Sequence, residues 1–208
     1  MFQAKYPLSG SGILLQEAFA SETELCKNGL TPTNISFSEG SGTWNGTTSY
    51  IQINRAFEWL FQQSFQLSFR LRPTDGQPSD SMMLCGVLDA TANNRIECFI
   101  LSNGKIRFNY QANGGMATAD TANAIFADGQ ETFHTITCIA NASIGGIGGL
   151  KIYHNGNECT LDITNDGNTS GITFANFDNT HKLYLGARNN NTVADKFFAG
   201  AIDYFTLS

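Results

Sequence analysis

The stretch from Ser64 to Tyr110 constrains the fold more than any other part of the chain. Within it, Phe65-Gln-Leu-Ser-Phe-Arg-Leu71 alternates apolar and polar residues with period two, as a strand with one wet face requires. The turn Arg72-Pro-Thr-Asp-Gly-Gln-Pro78 ends it, because proline has no amide to give a ladder and glycine permits tight dihedrals. Three more strand-like runs follow: Met82 to Leu88, Ile96 to Leu101 and Lys105 to Tyr110. Asn103-Gly104 predicts a two-residue hairpin between the last two, since that dipeptide suits the turn whose twist matches the strands. Together these runs predict an antiparallel meander.

The same grammar extends to both sides. Ile35-Ser-Phe37, Trp44 and Tyr50-Ile-Gln-Ile53 are separated by turns at Glu39-Gly-Ser-Gly42 and Asn45-Gly46. Phe57-Glu-Trp-Leu-Phe61 is apolar without period two and predicts one helical turn or an irregular crossing. Downstream, Thr132 to Ala140 is rich in β-branched residues, and Asp128-Gly129 precedes it as a turn. Leu150-Lys-Ile-Tyr-His154 turns through Asn155-Gly156 into Cys159-Thr-Leu-Asp-Ile163. Lys182-Leu-Tyr-Leu-Gly186 and Phe197 to Leu207 close the chain. Ser21-Glu-Thr-Glu24 has the spacing of a capping box, with Gly29 placed to end a short N-terminal helix. About a dozen short strands predict an all-β fold, a two-sheet antiparallel β-sandwich of jelly-roll type. Residues 1–30 are expected to form an arm or short helical segment, and 31–208 the sandwich.

Composition agrees. Glycine numbers 21 and phenylalanine 16 among 208 residues, while only 14% are charged, which fits strands with turn-rich links. Net charge is −6 with no lysine or arginine run, which argues against a nucleic-acid partner. No apolar run reaches the ~20 residues that cross a bilayer, so no membrane role is expected. The N-terminal decapeptide lacks a basic head and apolar core, so it does not read as a secretory signal. Five cysteines (Cys26, Cys85, Cys98, Cys138, Cys159) include no Cys-x-x-Cys pair, and the expectation is reduced thiols in a protein made in a cytoplasm. Cys85 and Cys98 could nonetheless face each other across a hairpin.

From Ser64 to Leu207 the chain resembles a laminin-G-like domain of the concanavalin A-like jelly-roll superfamily. Phe65 to Arg72 resembles its first core strand, and Cys98 to Phe108 its element of strand, glycine turn and strand. Asp128-Gly129 with Phe133-His-Thr-Ile136 is similar to its Asp-Gly, aromatic-His pattern. Leu150 to Gly156, Leu183-Tyr-Leu-Gly186 and Phe198-Ala-Gly-Ala-Ile-Asp203 match its later hairpin and closing pair. Upstream, Trp44 to Ile53 is similar to its aromatic-x-Gly strand pair. The fold hosts lectins, receptor modules and glycosidases alike, so the resemblance implies a fold and not a function.

An enzyme is not expected. Glycosidases of this fold carry acids spaced Glu-x-Asp-x-x-Glu on one strand, placing two carboxylates ~5 Å apart across the scissile bond. Here the acids two apart are Glu22 and Glu24, outside the strand region, with Lys27 next in the pattern. His134, His154 and His181 are too widely spaced for a short metal motif, and His134 reads as a packed strand residue. Gly145-Gly-Ile-Gly-Gly149 lacks the Lys-Ser/Thr ending of a phosphate loop and reads as a turn. The resemblance does imply one Ca2+ at the sandwich rim, bound by oxygen ligands. Asp89 falls at its first carboxylate, Ile106 at a carbonyl, and Asp178 or Asn179 near the second side-chain ligand. Solvated loop acids are the alternative. Trp59, Tyr153 and Tyr184 are the aromatics expected to meet a ligand, while Trp44 matches the family's core aromatic.

Two functions are expected. The first is a structural protein of a phage virion surface, a capsid decoration or fibre head, with virion proteins as partners and a homo-oligomeric assembly. A small chain that reads as complete, no export signal and unpaired thiols point that way. The alternative is a lectin-like module that recognises a glycan or protein surface, using Ca2+.

Overall fold

In the computed structural model, residues 15–19, 21–54, 64–88, 94–112, 115–129, 132–141, 149–166 and 181–208 are described. In chain order the elements are β1 (Leu15–Ala18), α1 (Glu22–Lys27), β2 (Leu30–Thr33), β3 (Ser36–Ser38), β4 (Ser41–Asn45) and β5 (Tyr50–Ile53). There follow β6 (Phe65–Pro73), β7 (Met82–Leu88), β8 (Arg95–Ile100), β9 (Ile106–Ala112), β10 (Gly115–Thr121) and β11 (His134–Ala140). The last are β12 (Leu150–His154), β13 (Asn157–Glu158), β14 (Leu161–Asp166), β15 (Leu183–Leu185), β16 (Arg188–Asn190), β17 (Val193–Asp195) and β18 (Ala199–Leu207). An eight-stranded sheet runs β13-β12-β11-β6-β18-β4-β3, with β1 also on β18. A ten-stranded sheet runs β14-β10-β9-β8-β7-β15-β5-β2, with β16 and β17 attached through β7. All pairs are antiparallel except β16 on β7. The sandwich expected from the strand grammar is thus observed.

Local signals worked where the chain supplied its own turn. Ser21 Oγ accepts from Glu24 N–H at 3.3 Å and caps α1. At Asn155-Gly156 both residues have positive φ (48° and 82°), as the tightest hairpin turn demands. The turn between β8 and β9 departs from the two-residue expectation: Leu101 N–H bonds Lys105 C=O at 2.9 Å, so the loop is the three residues Ser102-Asn103-Gly104 and Gly104 alone has positive φ. Gly104 is fixed twice over: its φ is +75°, and a Cβ there would lie 2.1 Å from the Phe126 carbonyl oxygen.

The meander is β7-β8-β9-β10, and β6 belongs to the other sheet. The segment between β6 and β7 is no hairpin: Asp75 Oδ1 accepts from the amides of Gln77 (2.9 Å) and Gly129 (3.3 Å), folding it into a loop that crosses between layers. The run Cys159 to Ile163 also divides, because Cys159 N–H still bonds Ile152 in one sheet while Thr160 C=O already accepts from Ala122 beside the other. Neither crossing is visible in periodicity, which reports faces and not partners.

Between the sheets lies one apolar core. Phe65 of β6 meets Phe108 and Tyr110 of β9 across the layers, at ring separations of 6.3 and 5.8 Å. Phe19 and Leu25 are fully buried in the same core, so the described part of the first thirty residues packs into the sandwich. Trp44 sits edge-on to Phe19 at 5.5 Å and donates from Nε1 to Leu185 C=O at 3.4 Å. Each such aromatic contributes about 1.5–3 kcal/mol by leaving water. No helix among the described residues is long and apolar enough to cross a membrane.

Candidate functional site: the outer face of the ten-stranded sheet

Ile96, Cys98, Ile100, Ile106, Phe108, Tyr110, Ala117 and Ala119 all face the core. Strand alternation therefore turns their neighbours outward. Register aligns those neighbours in rows across the sheet. The central row is Thr118, Asn109, Glu97 and Gly86, and beyond Gly86 stand both Tyr184 and Arg188. One flanking row is Met116, Gln111, Arg95, Leu88 and Asn190. The other is Asp120, Arg107, Phe99 and Met83.

The central row is unusual for an outward face because its charges are buried. The Glu97 side chain is 1% exposed, accepting from Arg188 Nη1 at 3.1 Å and Asn109 Nδ2 at 3.0 Å, with Arg95 Nη1 3.8 Å away. Arg188 also grips Asp195 through Nε (2.8 Å) and Nη2 (2.7 Å), and Asn190 Nδ2 adds a bond at 3.1 Å. Burial pushes the Asp195 carboxyl up, but the hydrogen bonds and charge of Arg188 outweigh it and hold the group below the usual carboxylate range. Arg188 is raised in turn, first by its bonds to Asp195. Arg107 clasps Asp120 bidentately at 2.7 and 2.9 Å, and that pairing raises its own pKa. Three carboxylates are therefore neutralised by arginines, and among the described residues three of the five Arg188 N–H donors have acceptors.

The face also holds unspent hydrogen-bonding capacity. Asn109 Oδ1, Gln111 Oε1 and Thr118 Oγ1 are buried without a protein partner, on adjacent positions of β9 and β10. Leaving such a group unpaired costs roughly 1–3 kcal/mol, so a cluster of them marks a surface suited to a polar partner. Beside them Tyr184 stacks on Tyr50 with ring centroids 4.6 Å apart. Burial, then the charge of Tyr50, raises the Tyr184 hydroxyl.

The residues expected from sequence scatter around this frame. Tyr184 stands on the outer face, though it is 6% exposed and stacked on Tyr50. Tyr153 lies on the opposite outer face, where its hydroxyl donates to Glu158 at 3.1 Å. Trp59, Asp89, Asp178 and Asn179 lie outside the described residues. Ile106 is fully buried at the start of β9, and its row (Met82, Ile100, Ile106) is at the far end of the sheet from Leu88, which precedes Asp89. Six steps along the strand separate Met82 from Leu88, roughly 20 Å at ~3.3 Å each. Ile106 and the end of β7 leading to Asp89 thus do not meet, and no group of three His, Cys, Asp or Glu among the described residues could hold a metal.

The central row had a partial signal. Arg95-x-Glu97 and Arg107-x-Asn109-x-Gln111 alternate polar residues through apolar strands, but it is the three-residue loop Ser102-Asn103-Gly104, not a two-residue turn, that sets Glu97 opposite Asn109. Arg188 had none, since it reaches Glu97 across 91 positions of chain.

Comparison with known proteins follows the same outline. A laminin-G family model described as the concanavalin A-like lectin/glucanases superfamily matches residues 45–208. A search of the curated proteins finds no match. Among solved structures, the NanB sialidase of Streptococcus pneumoniae aligns with TM-score 0.58 and 17% identity over 80% of this chain. The chain spans about a quarter of that sialidase, 25% of its length. The CBM40 module of the Ruminococcus gnavus IT-sialidase, solved with α2,3-sialyllactose, aligns with TM-score 0.59 and 15% identity over 94% of this chain and 91% of the module. The receptor-binding domain of botulinum neurotoxin mosaic serotype C/D aligns with TM-score 0.58 and 12% identity, over 86% of this chain and 41% of that one. At these identities the likeness is one of fold.

Proposed function

The chain belongs to the concanavalin A-like lectin/glucanase superfamily, and from that premise we propose that it is a non-catalytic, lectin-like module that binds a glycan on the outer face of its ten-stranded sheet. The observation that carries this reading is the central row, in which a buried charge network holds amide and hydroxyl groups with unspent capacity at fixed spacing. Sugar hydroxyls both donate and accept, so one that reaches this row, where Asn109 and Thr118 are 8% and 4% exposed, would meet fixed acceptors beside the part-exposed Arg188. The CBM40 neighbour, which is solved with sialyllactose and matches over nearly its full length, supports a glycan as the partner. None of the three neighbours is a virion protein, and recognition takes precedence over the virion role on that ground.

Two features speak for binding without turnover. Most glycoside hydrolases use a protonated carboxyl and a second free carboxylate roughly 5–9 Å apart. Glu97, Asp120 and Asp195 are each bound by arginine, and Asp195 is held too low to carry a proton at neutral pH.

A glycan array of sialylated and neutral oligosaccharides tests the reading, followed by titration of the best binder against Gln111→Ala and Thr118→Val. Binding that falls about tenfold in folded variants is expected, a loss of ~1.4 kcal/mol. An empty array sinks the module reading, and binding unchanged in both variants moves the site off this face.

A further inference from the structure

The opposite face of the sandwich holds a cavity of about 390 Å³, within the roughly 300–1,000 Å³ of small-molecule sites. Its floor is the row Thr43, Ala201 and Arg72, in register across β4, β18 and β6. The small Ala201 between two longer side chains makes the depression. The β3–β4 turn at Glu39-Gly40 forms one rim, and Phe133 forms the other, its ring 5.1 Å from the Arg72 guanidinium and 4.8 Å from that of Arg70.

The register of β18 slips between Ile202 and Tyr204, and this bulge delivers Asp203 into the cavity. One carboxylate oxygen, Oδ2, pairs with Arg70. The other, Oδ1, is buried without a partner, and so is Ser41 Oγ on the same wall. Arg72 makes no ion pair among the described residues. Burial raises the Asp203 carboxyl even against the charge of Arg70 and a hydrogen bond from its own backbone amide.

We propose that this cavity is a second saccharide subsite, taking one neutral sugar residue, so that a single chain holds glycan on both faces. A pair of neighbouring hydroxyls satisfies it: one accepts from Arg72 and donates to Asp203 Oδ1, and the next pairs with Ser41 Oγ. Phe133 supplies an apolar wall for the C–H face of the ring. The charges argue for a neutral ligand, because Arg70 and Asp203 cancel and Glu39 offsets Arg72. The choice of a sugar rests on the lectin-like reading above; the location does not.

The test is titration of the 15N-labelled chain with the methyl glycosides of glucose, galactose, mannose and N-acetylglucosamine, and with free glycine as a zwitterion control. The expected result is amide shifts at Ser41, Thr43 and Ala201 with at least one glycoside, weakened tenfold or more by Ala201→Leu, which fills the cavity from its floor. Ser41→Ala, which leaves the cavity open, is expected to weaken the same titration. Shifts confined to Asn109 and Thr118 would uphold the first site and overturn this one. Shifts only with glycine, or equal affinity in both variants, would overturn it too. Shifts at the cavity with a silent central row would uphold it and leave the first site to the oligosaccharide array.

Discussion

The Glu97 carboxylate and the Arg188 guanidinium meet at 3.1 Å although 91 positions separate them, and the carboxylate is 1% exposed. They come together because β16 runs parallel to β7 with Arg188 opposite Gly86, which is itself opposite Glu97. Gly86 carries no side chain to stand between them.

Removing Glu97 leaves Arg188 to Asp195 alone and takes the acceptor of Asn109. Glu97→Ala is expected to cost about 2–3 kcal/mol, read from urea denaturation, because Arg188, Arg95 and Asn109 all lose their shared acceptor while Arg188 keeps Asp195. A loss below about 1 kcal/mol would mean that the network is solvated.

Gly186 is expected to reject any side chain. Its φ is +77°, and a Cβ there would lie 2.1 Å from Trp44 Nε1, at the centre of the core. Gly186→Ala is expected to lower stability by about 3 kcal/mol or more, or to give insoluble protein. A thermal midpoint within a few degrees of the parent would show that Trp44 can move aside.

His134 Nδ1 and His154 Nε2 are 2.7 Å apart with stacked rings, and Asn155 Nδ2 reaches the same nitrogen at 3.1 Å. Burial first, then the charge of His134, lowers the His154 pKa below its ordinary value of 6.5. The unfolded chain therefore binds the proton more readily, and stability that is complete above about pH 6.5 is lost as pH falls toward the folded value. The urea midpoint is expected to drop between pH 7.5 and 5.5, and to drop less in His154→Gln. An equal drop in both proteins would assign the effect elsewhere.

Thiol reactivity is expected to sort by depth. All five cysteines are free; Cys85, Cys98 and Cys138 are buried, and Cys26 is exposed. Burial pushes the Cys85 thiol well up, and the bond to Cys98, 3.6 Å away, does so first for Cys138. A chromogenic disulfide reagent is expected to label Cys26 quickly, Cys159 slowly and the other three only on unfolding. Rapid labelling of Cys98 in the native state would contradict the core.

Much of the fold was legible because its signals are local. The capping box at Ser21 and the hairpins at Asn103-Gly104 and Asn155-Gly156 each lie within a few residues of the structure they specify. The site was legible only as polar alternation along β8 and β9: a two-residue turn at Asn103-Gly104 would set Glu97 opposite Tyr110, whereas the three-residue loop sets it opposite Asn109. Tyr153 and Tyr184 looked equivalent in sequence, yet they stand on opposite outer faces, because which sheet a strand joins is not written in its alternation.

By itself the sequence determined that this chain makes short strands with one apolar face, since period-two burial is a property of consecutive residues. Only the tertiary structure decided what each outer face carries. Sheet order brings Arg188 to Glu97, and a bulge swings Asp203 beside Arg72. Those partners are chosen by packing between distant segments, where core burial pins the register and the outward residues must follow.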